Sequence, residues 1–158
     1  MTTVGGGAKI KQITKYGEKL QMKLSTRATY GLRLCFMLAI AKAPLSASRL
    51  VKRTDIGIKY LEQLMSMLRR GNIVTAFRGK TGGYVLSREP QEITLKEILV
   101  ALDDGFDAPS CISGSCEDMY CPNRNVLNKL NDGINGVLES VTLADMVIDC
   151  RNGCGDSK

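Results

Sequence analysis

The sequence predicts a mostly α-helical fold with a small β-hairpin wing, a winged helix-turn-helix followed by a long dimerisation helix. Three observations carry this prediction. Apolar residues recur at helical spacing over most of the chain. Two short β-prone runs, 73–77 and 84–86, flank a glycine-rich stretch. Charge is divided unevenly, with 13 basic and 3 acidic residues over 22–90 against 5 basic and 12 acidic residues over 91–158.

Length and composition fit one domain with a real core. The chain has 158 residues, 44% of them hydrophobic, and a net charge of +6. Residues 1–21 lack the apolar core of a signal peptide, and no segment approaches the roughly 18 consecutive apolar residues that span a bilayer, so we expect a cytoplasmic protein. Histidine is absent, which excludes Ser-His-Asp triads and other His-dependent catalysis. Because no other nucleophile–base pair or phosphate loop is present, we do not expect an enzyme.

The first three helices are predicted from caps and apolar spacing. Ser25 is placed to cap a helix whose apolar face includes Leu32 and Leu38, and Pro44 ends that region. A short helix is predicted over 46–53 and a tight turn over 54–57. A third helix is predicted over 58–70, and Gly71 is expected to adopt the left-handed conformation that ends it.

The hairpin predicted next to the third helix has the tip Arg78-Gly-Lys-Thr-Gly-Gly83. In a winged helix-turn-helix the third helix enters the major groove and the hairpin reaches beside it. Glycines allow the backbone to come close to a ligand, and Arg78 and Lys80 supply positive charge. Together with the basic charge of 22–90, these features predict double-stranded DNA as the partner. A solvated basic face and a plain surface hairpin are the alternatives.

The second half of the chain is predicted to contain three helices. A helix over 94–103 begins with a capping box of Thr94 and Glu97. A longer helix begins near Pro122 and has one apolar face, but its polar face is rich in Asn and Gly, so we expect it to pack against a second copy of itself. A last helix is predicted over 142–149. The predicted organisation is a flexible arm (1–21), a winged helix-turn-helix domain (22–90), a cysteine-bearing loop with dimerisation helices (91–149) and a flexible tail (150–158).

Three of the six cysteines fall in one predicted loop. Cys111, Cys116 and Cys121 are separated by four residues each. Cysteine thiolates in short loops hold iron–sulfur clusters, whereas structural zinc usually has closer Cys-x2-Cys pairs. An iron–sulfur cluster is therefore the first interpretation, with zinc, redox thiols or an incidental arrangement as alternatives. Cys35 falls on the apolar face of the first helix and is interpreted as a core residue.

Three motifs together resemble the iron–sulfur cluster regulators of the Rrf-type winged helix-turn-helix family. They are Met22-Lys-Leu-Ser-Thr-Arg-Ala-Thr-Tyr-Gly31; the pair Lys59-Tyr-Leu-Glu-Gln-Leu64 and Arg78-Gly-Lys-Thr-Gly-Gly-Tyr84; and the cysteine loop followed by a helix ending in Val141-Thr-Leu-Ala-Asp145. The resemblance covers 22–148. It implies a homodimer that binds a palindromic operator and controls genes of iron–sulfur cluster biogenesis. It also implies a 2Fe–2S cluster on the three cysteines, although some relatives carry a 4Fe–4S cluster.

The fourth ligand that the resemblance implies is missing. Cluster-sensing members commonly have a His three residues after the third Cys, where this chain has Arg124, and an arginine stays protonated. The candidates that replace it are two tail cysteines, three loop carboxylates, a water or a small thiol. The residues among them are Cys150, Cys154, Asp107, Glu117 and Asp118.

DNA contacts are predicted on the third helix, the wing and the flanking cations. Lys59 and Gln63 are expected at base edges, and Arg78 is expected in the minor groove or at a base. The remaining predicted contacts are Tyr60 on the helix, Gly79, Lys80, Gly82 and Gly83 on the wing, and Lys23, Thr26, Arg27 and Lys52 at phosphates.

Glu62 is the only acidic residue between Asp55 and Glu89. Facing DNA, its carboxylate could accept a hydrogen bond from cytosine but would repel phosphate. The alternative is a solvated glutamate that balances a nearby arginine. The resemblance implies a selectivity switch between operator classes, and our hypothesis is that cluster binding changes whether Glu62 faces the groove.

Two other functions are consistent with the sequence. One is a zinc-responsive, thiol-redox-responsive, nitric-oxide-sensing or iron-sensing regulator of the same fold. The other is a small electron-transfer iron–sulfur protein, which the strongly basic N-terminal half disfavours because an electron carrier needs no wing.

Overall fold

The computed structural model describes residues 24–41, 43–79, 82–103 and 122–153, the last three (151–153) for their backbone only. Within these ranges the chain is mostly helical and has one antiparallel hairpin, which confirms the predicted fold class. The helices are α1 (Thr26–Ile40), α2 (Ala47–Thr54), α3 (Ile58–Arg70), α4 (Leu95–Ala101), α5 (Arg124–Ser140) and α6 (Leu143–Gly153). The strands are β1 (Val74–Phe77) and β2 (Gly83–Leu86), and a 3₁₀ turn spans Pro90–Glu92.

Side-chain caps begin the first two helices, at the predicted Ser25 and at Ser46, which was predicted as a helix start but not as a cap. The Ser25 hydroxyl accepts a hydrogen bond of 3.1 Å from the backbone N–H of Ala28. The Ser46 hydroxyl accepts one of 3.4 Å from the N–H of Arg49. Each bond satisfies one of the N–H groups that a helix leaves without a partner in its first turn.

The helix ends differ from the predictions in three places. Gly71 has φ of −77°, and the left-handed residue after α3 is Asn72, with φ of 56°. Asparagine tolerates this conformation better than most residues with a side chain. Pro122 precedes α5, whose N-cap is Asn123, and α6 continues to Gly153, past its predicted end at 149.

One apolar core joins the two halves of the chain. Leu34 of α1 and Leu61 of α3 are fully buried, as are Ile98 of α4 and Leu143 at the start of α6. Two close approaches hold α4 against the earlier helices. A Cβ added at Gly31 would lie 2.3 Å from a Leu102 methyl carbon, and one added at Gly71 would lie 2.4 Å from the Ala101 Cβ. A larger residue at Gly71 would therefore push α4 outwards, and one at Gly31 would force the Leu102 side chain to move.

Matching capping boxes begin α4 and α6. The Glu97 carboxylate accepts a 2.8 Å bond from the Thr94 N–H, and the Asp145 carboxylate accepts a 2.8 Å bond from the Thr142 N–H. Two backbone hydrogen bonds of 2.9 Å join the segments that precede the two helices. The backbone hydrogen bond from Thr94 holds the pKa of Glu97 below its usual value, and the Arg88 guanidinium at 2.8 Å adds to this effect.

Candidate nucleic-acid interface

The turn between α2 and α3 sets the direction of α3. Asp55 ends α2 in the left-handed conformation, with φ of 56°, and its N–H donates to the Val51 carbonyl. The next side chain, Ile56, is buried in the core, and Gly57 precedes the first turn of α3. The buried hydroxyl of Thr54 donates a 2.8 Å bond to the Leu50 carbonyl. The turn is thus anchored on both sides of Asp55, and α3 leaves it in a defined direction.

One side of α3 is polar and exposed, while the other side lies in the core. The exposed side chains, which we call the recognition face, are Lys59, Glu62, Gln63, Ser66, Arg69 and Arg70. The spacing of these residues places them on one stripe of a helix with 3.6 residues per turn. The structure therefore brings three predicted DNA contacts, Lys59, Glu62 and Gln63, onto a single solvent-facing surface.

Tyr60 lies at the margin of this surface. Its ring meets the Tyr30 ring edge-on, with the ring centroids 6.3 Å apart and an interplanar angle of 90°. The residue is half-buried and packs against the core. This packing gives the Tyr60 ring a structural role that the sequence did not predict, and a DNA contact by Tyr60 stays a prediction.

The wing is attached to the segment before α2. Its strands pair antiparallel, with Ala76 opposite Tyr84 and Phe77 opposite Gly83. Leu45 and Tyr84 exchange two backbone hydrogen bonds, of 2.9 and 3.1 Å. Leu45 therefore pairs with β2 as a short β-bridge, and this bridge attaches the hairpin to the helix-turn-helix.

The three described glycines of the wing are needed for different physical reasons. Gly79 has φ of 116°, a conformation that side chains disfavour, and a Cβ there would meet nothing within 4 Å. At Gly82 a Cβ would lie 2.5 Å from the Phe77 carbonyl oxygen, and at Gly83 it would lie 2.6 Å from the Leu45 carbonyl oxygen. Gly82 and Gly83 are thus required by the hairpin itself, and direct DNA contacts by the three glycines stay predictions.

A groove of about 180 Å³ separates α3 from the wing. Its α3 side includes Glu62, Ser66 and Arg69, and its wing side includes the cross-strand pair Ala76 and Tyr84. Among the described residues no cation lies within 4 Å of the Glu62 carboxylate. The interpretation of Glu62 as one half of an arginine ion pair therefore has no support in the described part of the chain.

The predicted phosphate contacts differ in their surroundings. Thr26, at the start of α1, and Lys52, on α2, are exposed. Arg27 lies 3.9 Å from the carboxylate of Asp103, the last described residue before the cysteine-bearing segment. Lys23 and Lys80 lie outside the described residues.

Several cations of this surface were missed in the sequence reading. Arg49 and Arg53 on α2, and Arg69 and Arg70 at the end of α3, are exposed. The Arg33 guanidinium donates a 3.1 Å bond to the Arg53 carbonyl, at the end of α2. Arg49 lies three residues before Lys52, and Arg69 and Arg70 lie seven residues after Glu62 and Gln63, so helical spacing alone places these three cations beside predicted contacts.

The three cysteines of the predicted cluster site lie outside the described residues, together with Cys154, Asp107, Glu117 and Asp118. Cys150 is described and lies half-exposed on α6. Cys35 is fully buried, as predicted, and burial raises the pKa of its thiol to about 12. Within the described ranges no group of three or more Cys, Asp and Glu side chains could hold a metal ion.

Helix α5 presents an apolar face to solvent. Val126, Leu130 and Val137 are 67%, 58% and 61% exposed, and Leu138 is the one buried residue of this helix. A groove of about 390 Å³ follows this face and includes Leu130, Ile134 and Val137. In the described part of the chain, no helix is long and apolar enough to cross a membrane.

Comparison with known proteins places these features in one family. The model of the Rrf2 family, described as an iron-dependent transcriptional regulator, matches residues 24–149. The chain is 31% identical to the HTH-type transcriptional regulator IscR of Photorhabdus laumondii, over 80% of this chain and 79% of that protein.

Solved structures of similar proteins have the same fold. The structure of T. potens IscR is 32% identical, with a TM-score of 0.71, over 87% of this chain and 94% of that one. The structure of CymR, the global cysteine regulator of B. subtilis, is 33% identical, with a TM-score of 0.68, over 80% of this chain and 97% of that one. The P. laumondii and B. subtilis relatives are named as regulators, not as enzymes.

Proposed function

The chain belongs to the Rrf2 family of transcriptional regulators, and from this premise we propose that it is a homodimer that binds a palindromic operator and responds to an iron–sulfur cluster. The observation that carries the proposal is the recognition face of α3 beside the basic wing, on a chain that also has three evenly spaced cysteines. The genes it controls are then those of iron–sulfur cluster biogenesis.

The proposed docking places α3 in the major groove and the wing in the adjacent minor groove. Gln63 can form a bidentate pair with adenine, and Lys59 can reach guanine or a phosphate. Arg78 is exposed at the wing tip, where no described carboxylate lies within 4 Å to neutralise it. Thr26, Lys52 and the arginines of α2 then hold phosphates, which fixes the register without reading sequence.

Glu62 is proposed to select between operators. Its carboxylate lies on the recognition face and has no described cation within 4 Å. It would therefore repel nearby phosphates, but it could accept a hydrogen bond from the amino group of a cytosine. Glu62→Ala is expected to improve binding to operators that the wild type rejects, by about tenfold or more for one good base contact. Affinities for several operators should be measured with and without the cluster. Unchanged selectivity in both states would contradict this role.

The donor set fits an iron–sulfur cluster with one position still to be assigned. Cys111, Cys116 and Cys121 supply three thiolates, and a cluster held there supplies a redox-sensitive and iron-sensitive signal. Arg124, at the start of α5, cannot be the fourth ligand because a guanidinium stays protonated. We expect the fourth ligand among Cys150, Cys154, the three loop carboxylates or a small external molecule.

The dimer is proposed to form through α5. Leu130 and Val137 are more than half exposed, so burying this apolar face against a partner would stabilise the helix. A two-fold axis through this face would place two recognition helices on successive half-sites of a palindrome. The glycines and asparagines of α5 make it a weak helix alone, which also favours packing against a partner.

A thiol-responsive regulator is the second candidate. The likeness to a protein named as the global cysteine regulator supports it, because that relative shares this fold at a comparable identity. In this case the cysteines would react directly, without a cluster.

Purification without oxygen separates the two candidates. We expect a brown protein with about two iron and two sulfide per chain for a 2Fe–2S cluster. Replacing all three loop cysteines by alanine should remove the colour and the iron. A colourless wild-type protein that binds operator DNA would instead support the thiol-responsive regulator.

A further inference from the structure

Phe77, the last residue of β1, is an unexplained apolar feature of the wing. Its side chain is 55% exposed, and it is the only aromatic among the strongly exposed apolar side chains of the described residues. It lies on a different element from the exposed face of α5, so dimerisation through α5 does not account for it. An exposed aromatic ring next to basic residues indicates a contact surface.

The architecture of the hairpin keeps Phe77 exposed. Its partner across the ladder is Gly83, which has no side chain to cover the ring. No larger residue can take that place, because a Cβ at Gly83 would lie 2.6 Å from the Leu45 carbonyl oxygen. Position 77 therefore has no side-chain partner directly across the strands, and solvent or a ligand must meet the ring.

The neighbours of Phe77 favour a polyanion as that ligand. Arg78 follows it directly and is exposed, with no described carboxylate within 4 Å. No acidic residue occurs between Glu62 and Glu89 in the sequence. This segment therefore combines positive charge with one exposed ring and has no acidic residue. Minor-groove proteins use the same two kinds of side chain: a cation binds the DNA backbone, and an apolar side chain inserts between two base pairs.

The position of the hairpin fixes which groove Phe77 can reach. Ala76 and Tyr84 face α3 across the narrow groove that holds Glu62. Because side chains alternate along a strand, Phe77 lies on the other face of the hairpin, away from α3. On the proposed docking, which puts the wing in the flanking minor groove, the ring at the end of β1 reaches that groove and not the one that α3 occupies.

We propose that Phe77 inserts into the minor groove beside the α3 site and makes binding depend on how easily the base step there is deformed. This inference rests on the proposed docking of α3 and the wing on duplex DNA. Pyrimidine–purine steps such as TA are easily unstacked, whereas A-tracts are stiff. Phe77 thus adds specificity at a position where no hydrogen bond reads the sequence, and it bends the duplex.

The test uses the full-length chain and a duplex that it selects from a randomised DNA pool. Phe77→Ala is compared with Phe77→Leu and with the matched control Arg78→Ala, and affinity is measured over a range of salt. We expect Phe77→Ala to lose about tenfold in affinity, the effect of removing one base–aromatic contact, with an unchanged salt slope. Arg78→Ala should reduce the salt slope by about one, because it removes a positive charge that displaces counterions when it enters the minor groove.

A second readout follows the shape of the DNA. Energy transfer between dyes at the duplex ends should report less bending with Phe77→Ala, and Phe77→Leu should retain part of the bend. Exchanging the flanking TA step for AA should weaken the wild type and leave Phe77→Ala unaffected. Thermal unfolding of the variants should match the wild type, since the ring is largely exposed.

Two outcomes would overturn the proposal. If Phe77→Ala binds and bends DNA like the wild type while Arg78→Ala binds weakly, the wing docks on DNA but Phe77 serves another partner, such as a protein. If the wild-type chain selects no duplex at all, the proposed docking fails, and the role of Phe77 fails with it.

Discussion

Replacing Gly83 by alanine tests whether the wing is held by the segment before α2. The added Cβ would lie 2.6 Å from the Leu45 carbonyl oxygen and 2.7 Å from the Leu45 carbonyl carbon. Carbon atoms pack at about 3.5–4.0 Å, so the backbone on one side must move. That movement breaks the two hydrogen bonds, of 2.9 and 3.1 Å, between Leu45 and Tyr84.

The expected loss follows from these bonds. Each backbone hydrogen bond contributes about 1 kcal/mol to stability, so Gly83→Ala should cost about 2 kcal/mol. For a chain of this size that corresponds to a fall in Tm of about 4–8 °C. Because the wing is then no longer anchored, DNA affinity should fall as well. Far-UV circular dichroism during heating measures the first effect, and fluorescence anisotropy with labelled duplex measures the second.

Gly136→Ala is the matched control for this change. Gly136 lies within α5, and a Cβ there meets nothing within 4 Å. Alanine in a helix interior is favoured over glycine by about 0.5–1 kcal/mol, so this variant should melt at the wild-type temperature or slightly above it. If Gly83→Ala melted and bound DNA like Gly136→Ala, the attachment of the wing through Leu45 would be refuted.

Three further changes test other parts of the account. Val137→Glu should convert a dimer to a monomer in sedimentation velocity and weaken operator binding, whereas Asn125→Glu, away from the apolar face of α5, should leave the dimer intact. Cys35 should resist alkylation in the native protein at neutral pH, because its thiol is fully buried with a pKa raised to about 12; mass spectrometry that found it modified before unfolding would contradict the burial. The pKa of Glu97 in the folded protein lies below its ordinary value of 4.5. The charged carboxylate therefore stabilises the fold fully above pH 4.5, and this stabilisation is lost as the pH falls through the folded-state pKa. Glu97→Gln should therefore lose less Tm than the wild type on acidification, and an equal loss would argue against the capping contact.

Local signals explain why the helix positions could be predicted from the sequence. Ser25, Ser46 and Thr94 each accept a hydrogen bond from an N–H three residues later, so the cap and the helix start are encoded within one turn. Helix α3 lies between Gly57 and Gly71 and alternates core and solvent residues at helical spacing, and its predicted bounds are confirmed.

Contacts between distant segments explain what the sequence did not predict. Gly71 is needed because Ala101 of α4 packs against it, and the left-handed turn falls on Asn72 instead. Tyr60 follows the helical period of the recognition face but is drawn onto the Tyr30 ring of α1. Such partners lie far apart in the sequence, so no local pattern identifies them.

Part of the candidate site could be predicted because it also follows from a local pattern. Lys59, Glu62 and Gln63 share one side of a single helix, so their placement together follows from helical spacing alone. The arginines at the end of α3 lie on the same stripe, but they also fit a solvated helix end, and only the position of the wing shows that Arg69 lines the groove.

Selection of genomic DNA by the protein purified without oxygen tests the central claim most directly. The same selection is done with Cys116→Ala, which removes one of the three evenly spaced cysteines that are proposed to hold the cluster. The account predicts that both proteins recover palindromic sites and that the two sets of promoters differ, because the cysteine site tunes operator choice. Recovery of no enriched DNA, or of the same promoters by both proteins, would contradict it.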